Sequence, residues 1–235
     1  MIFTVMIMRY SNIVSGRFVS RPNRFIANVQ IDGHLKVCHV KNTGRCKELL
    51  VSDAEVFLER SGNPDRKTEF DLVAVRKGER MINMDSQAPN KAVLEWLNSA
   101  KPFGEDMQPY PESVYGGSRF DFMLKSENSD KKIYLEVKGC TLERDGVALF
   151  PDAPTERGVK HLRELIRCRE EGIGAAVMIL VQMEGIKYFS PNYATHSEFG
   201  ETMKLAQQKG VTLLCYDSKV TPDSLTVNAP VEIRL

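Results

Sequence analysis

From Ile13 to Met84 the chain runs in short segments in which apolar and polar residues alternate, broken by turn residues, the pattern of half-buried strands. Residues 25–31 and 35–40 flank Asp32-Gly33, a dipeptide suited to the positive φ of a two-residue hairpin. Residues 55–59, 71–75 and 81–84 add three more strands, with Ser61-Gly62-Asn63-Pro64 as an intervening loop. Five short strands in this span predict a small barrel, of which the OB-fold is a common nucleic-acid-binding example.

After Asp85 the period changes. Val93, Leu94 and Leu97 recur at helical spacing behind Pro89 and predict a helix over 87–97. Extended segments follow at 112–115, 119–125 and 132–138. Thr155-Glu156-Arg157 forms an N-cap and acidic first turn for a helix reaching 171, stopped by Gly172. Residues 175–183 are almost continuously apolar, as in a strand buried on both faces. A helix over 197–209 and a strand over 211–216 complete an α/β domain with a central mixed sheet. The expected division is therefore a barrel over 1–85 and an α/β domain over 86–235. The apolar octet 1–8 lacks a basic lead and a cleavage site, so it reads as an edge strand or an early translation start rather than an export signal.

Composition narrows the functional classes. No apolar run approaches the ~18–20 residues of a membrane span. Five scattered cysteines, an odd number without any CxxC pair, point to reduced thiols in a cytoplasm and away from a structural zinc site. The net charge is only +1, but it is divided. Residues 1–85 hold 14 Lys and Arg against 10 Asp and Glu, whereas 86–235 hold 18 against 21. A basic barrel joined to an acidic α/β domain suits an anion-gripping module beside a cation-binding one.

The sharpest chemistry lies in segments 119–125 and 132–138. Pairing them antiparallel with Lys125 opposite Lys132 sets Leu124 against Ile133, Phe122 against Leu135 and Phe120 against Val137. That face is wholly apolar, so burial selects this register. The other face then carries Asp121 directly opposite Glu136, with Lys138 two residues beyond. Opposed Cβ atoms lie ~4.5–5.5 Å apart, where two carboxylates repel unless a cation or a proton sits between them. Hard oxygen donors favour Mg²⁺ or Mn²⁺, and a lysine alongside could orient water for metal-assisted phosphodiester hydrolysis. The ordinary alternative is a solvated strand face with a cross-strand ion pair.

Further candidates are weaker. Glu112 and Asp152 are secondary metal ligands, against an exposed strand carboxylate and a turn residue. Arg157 and His161, one helical turn apart, form either a phosphate clamp or a solvated face. Gln182 is either a site residue or a strand end. In the first half, Asn42-Thr43-Gly44-Arg45 with Lys47, the stretch Arg21-Pro22-Asn23-Arg24 and the pair Arg66-Lys67 offer amides and cations to phosphate.

In chain order, Ser20-Arg21-Pro22-Asn23-Arg24-Phe25, Asn42-Thr43-Gly44-Arg45, Asn63-Pro64-Asp65-Arg66-Lys67, Ser118-Arg119-Phe120-Asp121-Phe122, Glu136-Val137-Lys138 and Phe150-Pro151-Asp152-Ala153-Pro154-Thr155-Glu156-Arg157-Gly158 resemble the sugar fermentation stimulation protein A (SfsA) family. His161-Leu162-Arg163-Glu164-Leu165 continues the match. The resemblance implies an OB-like domain, a PD-(D/E)xK nuclease-like domain and sequence-non-specific DNA binding with a role in regulating sugar metabolism. Its nuclease motif falls on Asp121, Glu136 and Lys138, although Phe120 stands where the motif's spelling has proline. Pro151-Asp152 follows the Glu-x-Lys triplet and is not that motif's opening pair.

The expectation is thus a cytoplasmic DNA-binding protein with a Mg²⁺- or Mn²⁺-dependent nuclease-like site at Asp121, Glu136 and Lys138. Arg24, Arg45, Lys47, Arg66, Lys67, Arg157 and His161 would meet the nucleic acid, no membrane is involved, and a homo-oligomer stays open. The alternatives are a non-catalytic DNA-binding regulator on a nuclease scaffold and a metal enzyme acting on a small phosphorylated metabolite.

Overall fold

A computed structural model describes residues 8–42 and 44–235; all but the last residue of the N-terminal octet lies outside them. The first five strands are β1 (Ile13–Asn23), β2 (Ile26–Ile31), β3 (His34–Val40), β4 (Glu55–Arg60) and β5 (Phe70–Lys77). β1 pairs with β2 and β4, β2 with β3, β4 with β5, and β3 returns to β5 in parallel, closing a five-stranded barrel of OB connectivity. β6 (Arg80–Asn83) hangs on β5 and leads out of the barrel. Ala27 and Val29, and Val56 and Leu58, alternate into the barrel core, where Leu72 and Val75 of β5 join them, each fully buried. At the β2–β3 turn Asp32 and Gly33 both adopt positive φ (48° and 78°), the geometry that the Asp-Gly dipeptide predicts.

The longest barrel strand, β1, is absent from the sequence expectation. Gly16 and Pro22 interrupt its alternation, and register shifts between Phe18 and Ser20 and between Ser20 and Asn23 mark bulges. A bulge flips which residues face inward, so no single period-two pattern survives along the strand.

The α/β half begins with α1 (Ala88–Ala100), β7 (Met107–Tyr115), β8 (Ser118–Ser126) and β9 (Lys132–Cys140). A small ribbon contributes β10 (Glu143–Arg144) and β11 (Val147–Phe150), followed by α2 (Glu156–Glu170) and β12 (Gly174–Val181). β13 (Tyr188–Pro191) joins the ribbon, α3 (Tyr193–Gln208) is broken at His196, and β14 (Thr212–Thr221) and β15 (Ser224–Pro230) end the chain. The six-stranded sheet runs β15-β14-β12-β9-β8-β7, with β9, β12 and β14 parallel and both flanks antiparallel. This is the expected mixed sheet.

β12 shows why its sequence is apolar throughout. Ala176, Met178 and Leu180 pack towards α1, while Val177, Ile179 and Val181 pack with residues of α2 and α3. Thr155 caps α2, its Oγ1 accepting from the Gly158 N–H at 3.1 Å. Among the described residues no helix is long and apolar enough to cross a membrane, and all five cysteines are free and buried.

The two halves meet through buried polar contacts. Gln182, just past β12, donates its amide to Asn83 Oδ1 (2.9 Å) and to the carbonyls of Asn83 and Asp85 (both 3.1 Å). Glu143 pairs with Lys77 (3.0 Å) and Arg80 (2.7 Å) across the same seam. Gln182 is therefore a junction residue that fastens barrel to sheet.

Candidate functional site

β8 and β9 pair as burial dictates, from Lys125–Lys132 through Leu124–Ile133 to Phe122–Leu135. Beyond that point the expected register stops. Phe120 does not oppose Val137 across the α1 face; it joins the other core cluster, its ring 5.7 Å from both Tyr134 and His161. The Asp121 carboxylate takes up the vacated ladder position, Oδ2 accepting the Val137 N–H at 2.7 Å. Asp121 thus reaches the site by leaving the ladder instead of facing Glu136 as a regular cross-strand pair.

The two carboxylates remain within electrostatic reach of each other. Burial, then the neighbouring Glu136 charge, push the Asp121 carboxyl above its ordinary range, against hydrogen bonds from Val137 and Asn90. Glu136 goes the other way. Burial pushes it up, but His161 and Lys138 outweigh that and hold it low. Both donors meet the same oxygen: Lys138 Nζ and His161 Nδ1 each lie 2.5 Å from Glu136 Oε1. Glu136 is only 3 % exposed, and its second oxygen, Oε2, is buried without a hydrogen-bond partner. A bare, ionised carboxylate oxygen in the interior is costly unless something positive meets it. A hard cation is one kind of group that would satisfy such an oxygen.

Other expected residues fall elsewhere. Glu112 sits on β7 at the position across from Asp121, but its side chain is exposed and pairs with Arg119 at 2.9 Å, so it is not a third ligand here. Its φ of +56° is rare for a residue with a Cβ and turns the strand locally. Asp152 lies at the domain seam, Oδ2 accepting the Arg45 backbone N–H at 3.2 Å. It lines a cavity of 170 Å³ with Asn42, Ser86, Gly139, Thr141 and Gln182. Gly139, next to Lys138, has no room for a Cβ: Gln182 and Pro89 close over it.

Two expected phosphate contacts are corrected. Arg66 is locked in a bidentate pair with Asp71 (2.9 and 2.6 Å). Burial would raise the Asp71 carboxyl, yet Arg66, His39 and Lys41 hold it far below the usual range. Arg66→Ala is expected to lower barrel stability by about 2 kcal/mol, the scale of a charge-assisted bidentate contact. Urea denaturation of the two proteins checks it. His161 is the second correction: it is 4 % exposed and bonded to Glu136, and so is no surface clamp. Arg21 likewise serves structure, its guanidinium donating to the carbonyls of Arg24, Asn42, Gly44 and Arg45.

Arg24, Arg45, Lys47 and Lys67 are exposed, and among the described residues none has an acidic partner within 4.0 Å. Arg24 stands 5.6 Å over the exposed Phe25 ring. Arg157 is exposed as well, with its Nε donating to His161 Nε2 at 3.4 Å. Asn90, in the first turn of α1, was not anticipated; its amide donates to Asp121 Oδ1 at 2.7 Å. The only signal for it was a polar residue interrupting the apolar start Ala88-Pro89 and Ala92-Val93.

The family model described as SfsA N-terminal OB domain matches residues 19–84, and that described as Sugar fermentation stimulation protein RE domain matches residues 87–224. A sugar fermentation stimulation protein homolog of Clostridium beijerinckii is 52% identical over 228 residues, covering 97% of this chain and 100% of the relative. One from Desulfitobacterium hafniense is 52% identical over 229 residues, covering 97% and 99%. The solved structure of Pyrococcus furiosus SfsA in complex with Ca²⁺ superposes with a TM-score of 0.87 at 21% identity, over 97% of this chain and 99% of that one. An OB barrel followed by a mixed α/β sheet, with family models matched over both halves, means that this chain belongs to the sugar fermentation stimulation protein (SfsA) family.

Proposed function

We propose that the chain is a DNA-binding protein with a Mg²⁺- or Mn²⁺-dependent site for phosphodiester hydrolysis, arranged as in PD-(D/E)xK nucleases. The observation that carries this is Glu136 Oε2, buried and unpartnered while its twin oxygen holds two donors, in a carboxylate whose charge also raises the Asp121 carboxyl. Asp121 and Glu136 would hold the cation; when bound, it would supply Lewis-acid polarisation of the phosphodiester and ready a water for attack. Both carboxylates offer hard oxygen donors, which favours Mg²⁺ or Mn²⁺ over softer ions. The Ca²⁺ held by the Pyrococcus relative agrees with a site for hard divalent ions.

The chain's own groups have separable tasks. Lys138 brings a positive charge to the site rim, where it can steady a water or a developing oxyanion. Asn90 and the Val137 N–H fix the Asp121 rotamer. On the barrel, Arg24, Arg45, Lys47 and Lys67 would follow the phosphate backbone, with Phe25 available for stacking. Five buried, unlinked thiols suit a reducing cytoplasm.

The test is direct. Labelled single- and double-stranded DNA and RNA are incubated with Mn²⁺ and either wild type or Asp121→Ala. Cleavage of at least one DNA substrate by wild type only is expected, and equal traces from both proteins would remove the catalytic half of the proposal. The near-complete burial of Glu136 favours one other reading, a non-catalytic DNA-binding regulator. That reading requires salt-dependent DNA binding untouched by Asp121→Ala and by chelator, with no cleavage.

A further inference from the structure

Resting on that metal-site reading, we propose that His161 is a positioning residue for Glu136, its Nδ1–H directed at Oε1 and its ring oriented with the help of Arg157. A guanidinium only donates, and Arg157 Nε lies 3.4 Å from His161 Nε2. An ionised carboxylate only accepts, so His161 Nδ1, 2.5 Å from Glu136 Oε1, is the donor of that contact. The imidazole donates there, Lys138 donates to the same oxygen, and Oε2 is left without a hydrogen-bond partner.

The fold leaves the ring little freedom. His161 is 4 % exposed, and its edge meets Phe120 with centroids 5.7 Å apart. Arg157 and His161 are one turn apart on α2, whose first turn is fixed by the Thr155 cap. Helix α2 thus dictates which Glu136 oxygen faces the cation. Outer partners of this kind set ligand orientation and are worth about 10- to 100-fold in metal affinity.

Mn²⁺ titrated alone into the full chain, without DNA and followed by calorimetry, tests the assignment in wild type, His161→Leu and His161→Asn. His161→Leu deletes the donor; His161→Asn puts an amide N–H close to the Nδ1 position. Expected are Mn²⁺ affinity lowered about 10- to 100-fold in His161→Leu and most of that loss recovered in His161→Asn, a recovery that mere filling of space would not produce. Equal affinity in wild type and His161→Leu would overturn the positioning role while leaving the metal site standing. Equal weakness of the two variants would also overturn it, and if His161→Leu does not fold, His161→Asn must still bind within a few-fold of wild type. Absence of Mn²⁺ binding by wild type would sink the metal site and this role together.

Discussion

Glu136→Ala is expected to cost about 3 kcal/mol of stability, the lower range for stripping one partner from a buried ion pair. In a chain of this size that is roughly a 6–12 °C drop in Tm. The loss arises because Lys138 and His161 both lean on Glu136 Oε1 and no second acceptor replaces it. Glu136→Gln should be milder, since the amide oxygen still accepts both bonds and the volume is kept. The pH dependence has a definite sign. His161 and Lys138 hold the Glu136 carboxyl below its ordinary range despite burial. The stability it contributes is therefore present above that ordinary range and lost as the pH falls through the depressed value. Thermal melts of wild type and Glu136→Gln should differ at neutral pH and converge in acid.

Asp121→Asn is expected to act in the opposite direction on stability and more severely on function. Burial and the Glu136 charge raise the Asp121 carboxyl, so its ionised form is disfavoured in the folded chain. The contribution of such a group is fully favourable below the unfolded carboxyl's range and lost as the pH rises through the elevated folded value. Asparagine carries no charge and keeps the shape. Its oxygen can accept from Val137, and the Asn90 amide can turn to accept from the new N–H. The variant should melt about 2–4 °C above wild type at neutral pH, the effect of about 1 kcal/mol, with the gap closing in acid. Cleavage, where wild type shows it, should fall at least ~100-fold for want of an anionic ligand. A residue whose neutralisation stabilises the fold and abolishes activity is present for its chemistry.

Much of this arrangement was legible in the sequence, and the failures have physical causes. The β8–β9 register followed from the apolar face Leu124, Ile133, Phe122 and Leu135, because a slip of one residue would bury the polar set. It failed at Phe120 because a strand can leave its ladder, and single-residue patterns assume that it does not. β1 was hidden by its bulges. Arg66 looked like a free cation because the irregular loop that folds it back onto Asp71, five residues further on, has no period to read. His161 was the most recoverable error. It shares a helix face with Gly158, Leu165 and Cys168, all buried, so its spacing pointed inward and only its polarity suggested solvent. Asn90 depends on how α1 is laid across the sheet, which no local pattern encodes.

Asp121 and Glu136 Oε2 are proposed to share one divalent cation. Crystals of the full chain soaked in Mn²⁺ and measured at the manganese absorption edge put this to the test. One anomalous peak is expected within about 2.0–2.3 Å of an Asp121 oxygen and of Glu136 Oε2. A site that stays empty at saturating Mn²⁺, or manganese bound only at another carboxylate cluster such as Glu156, His196 and Glu198, would contradict it.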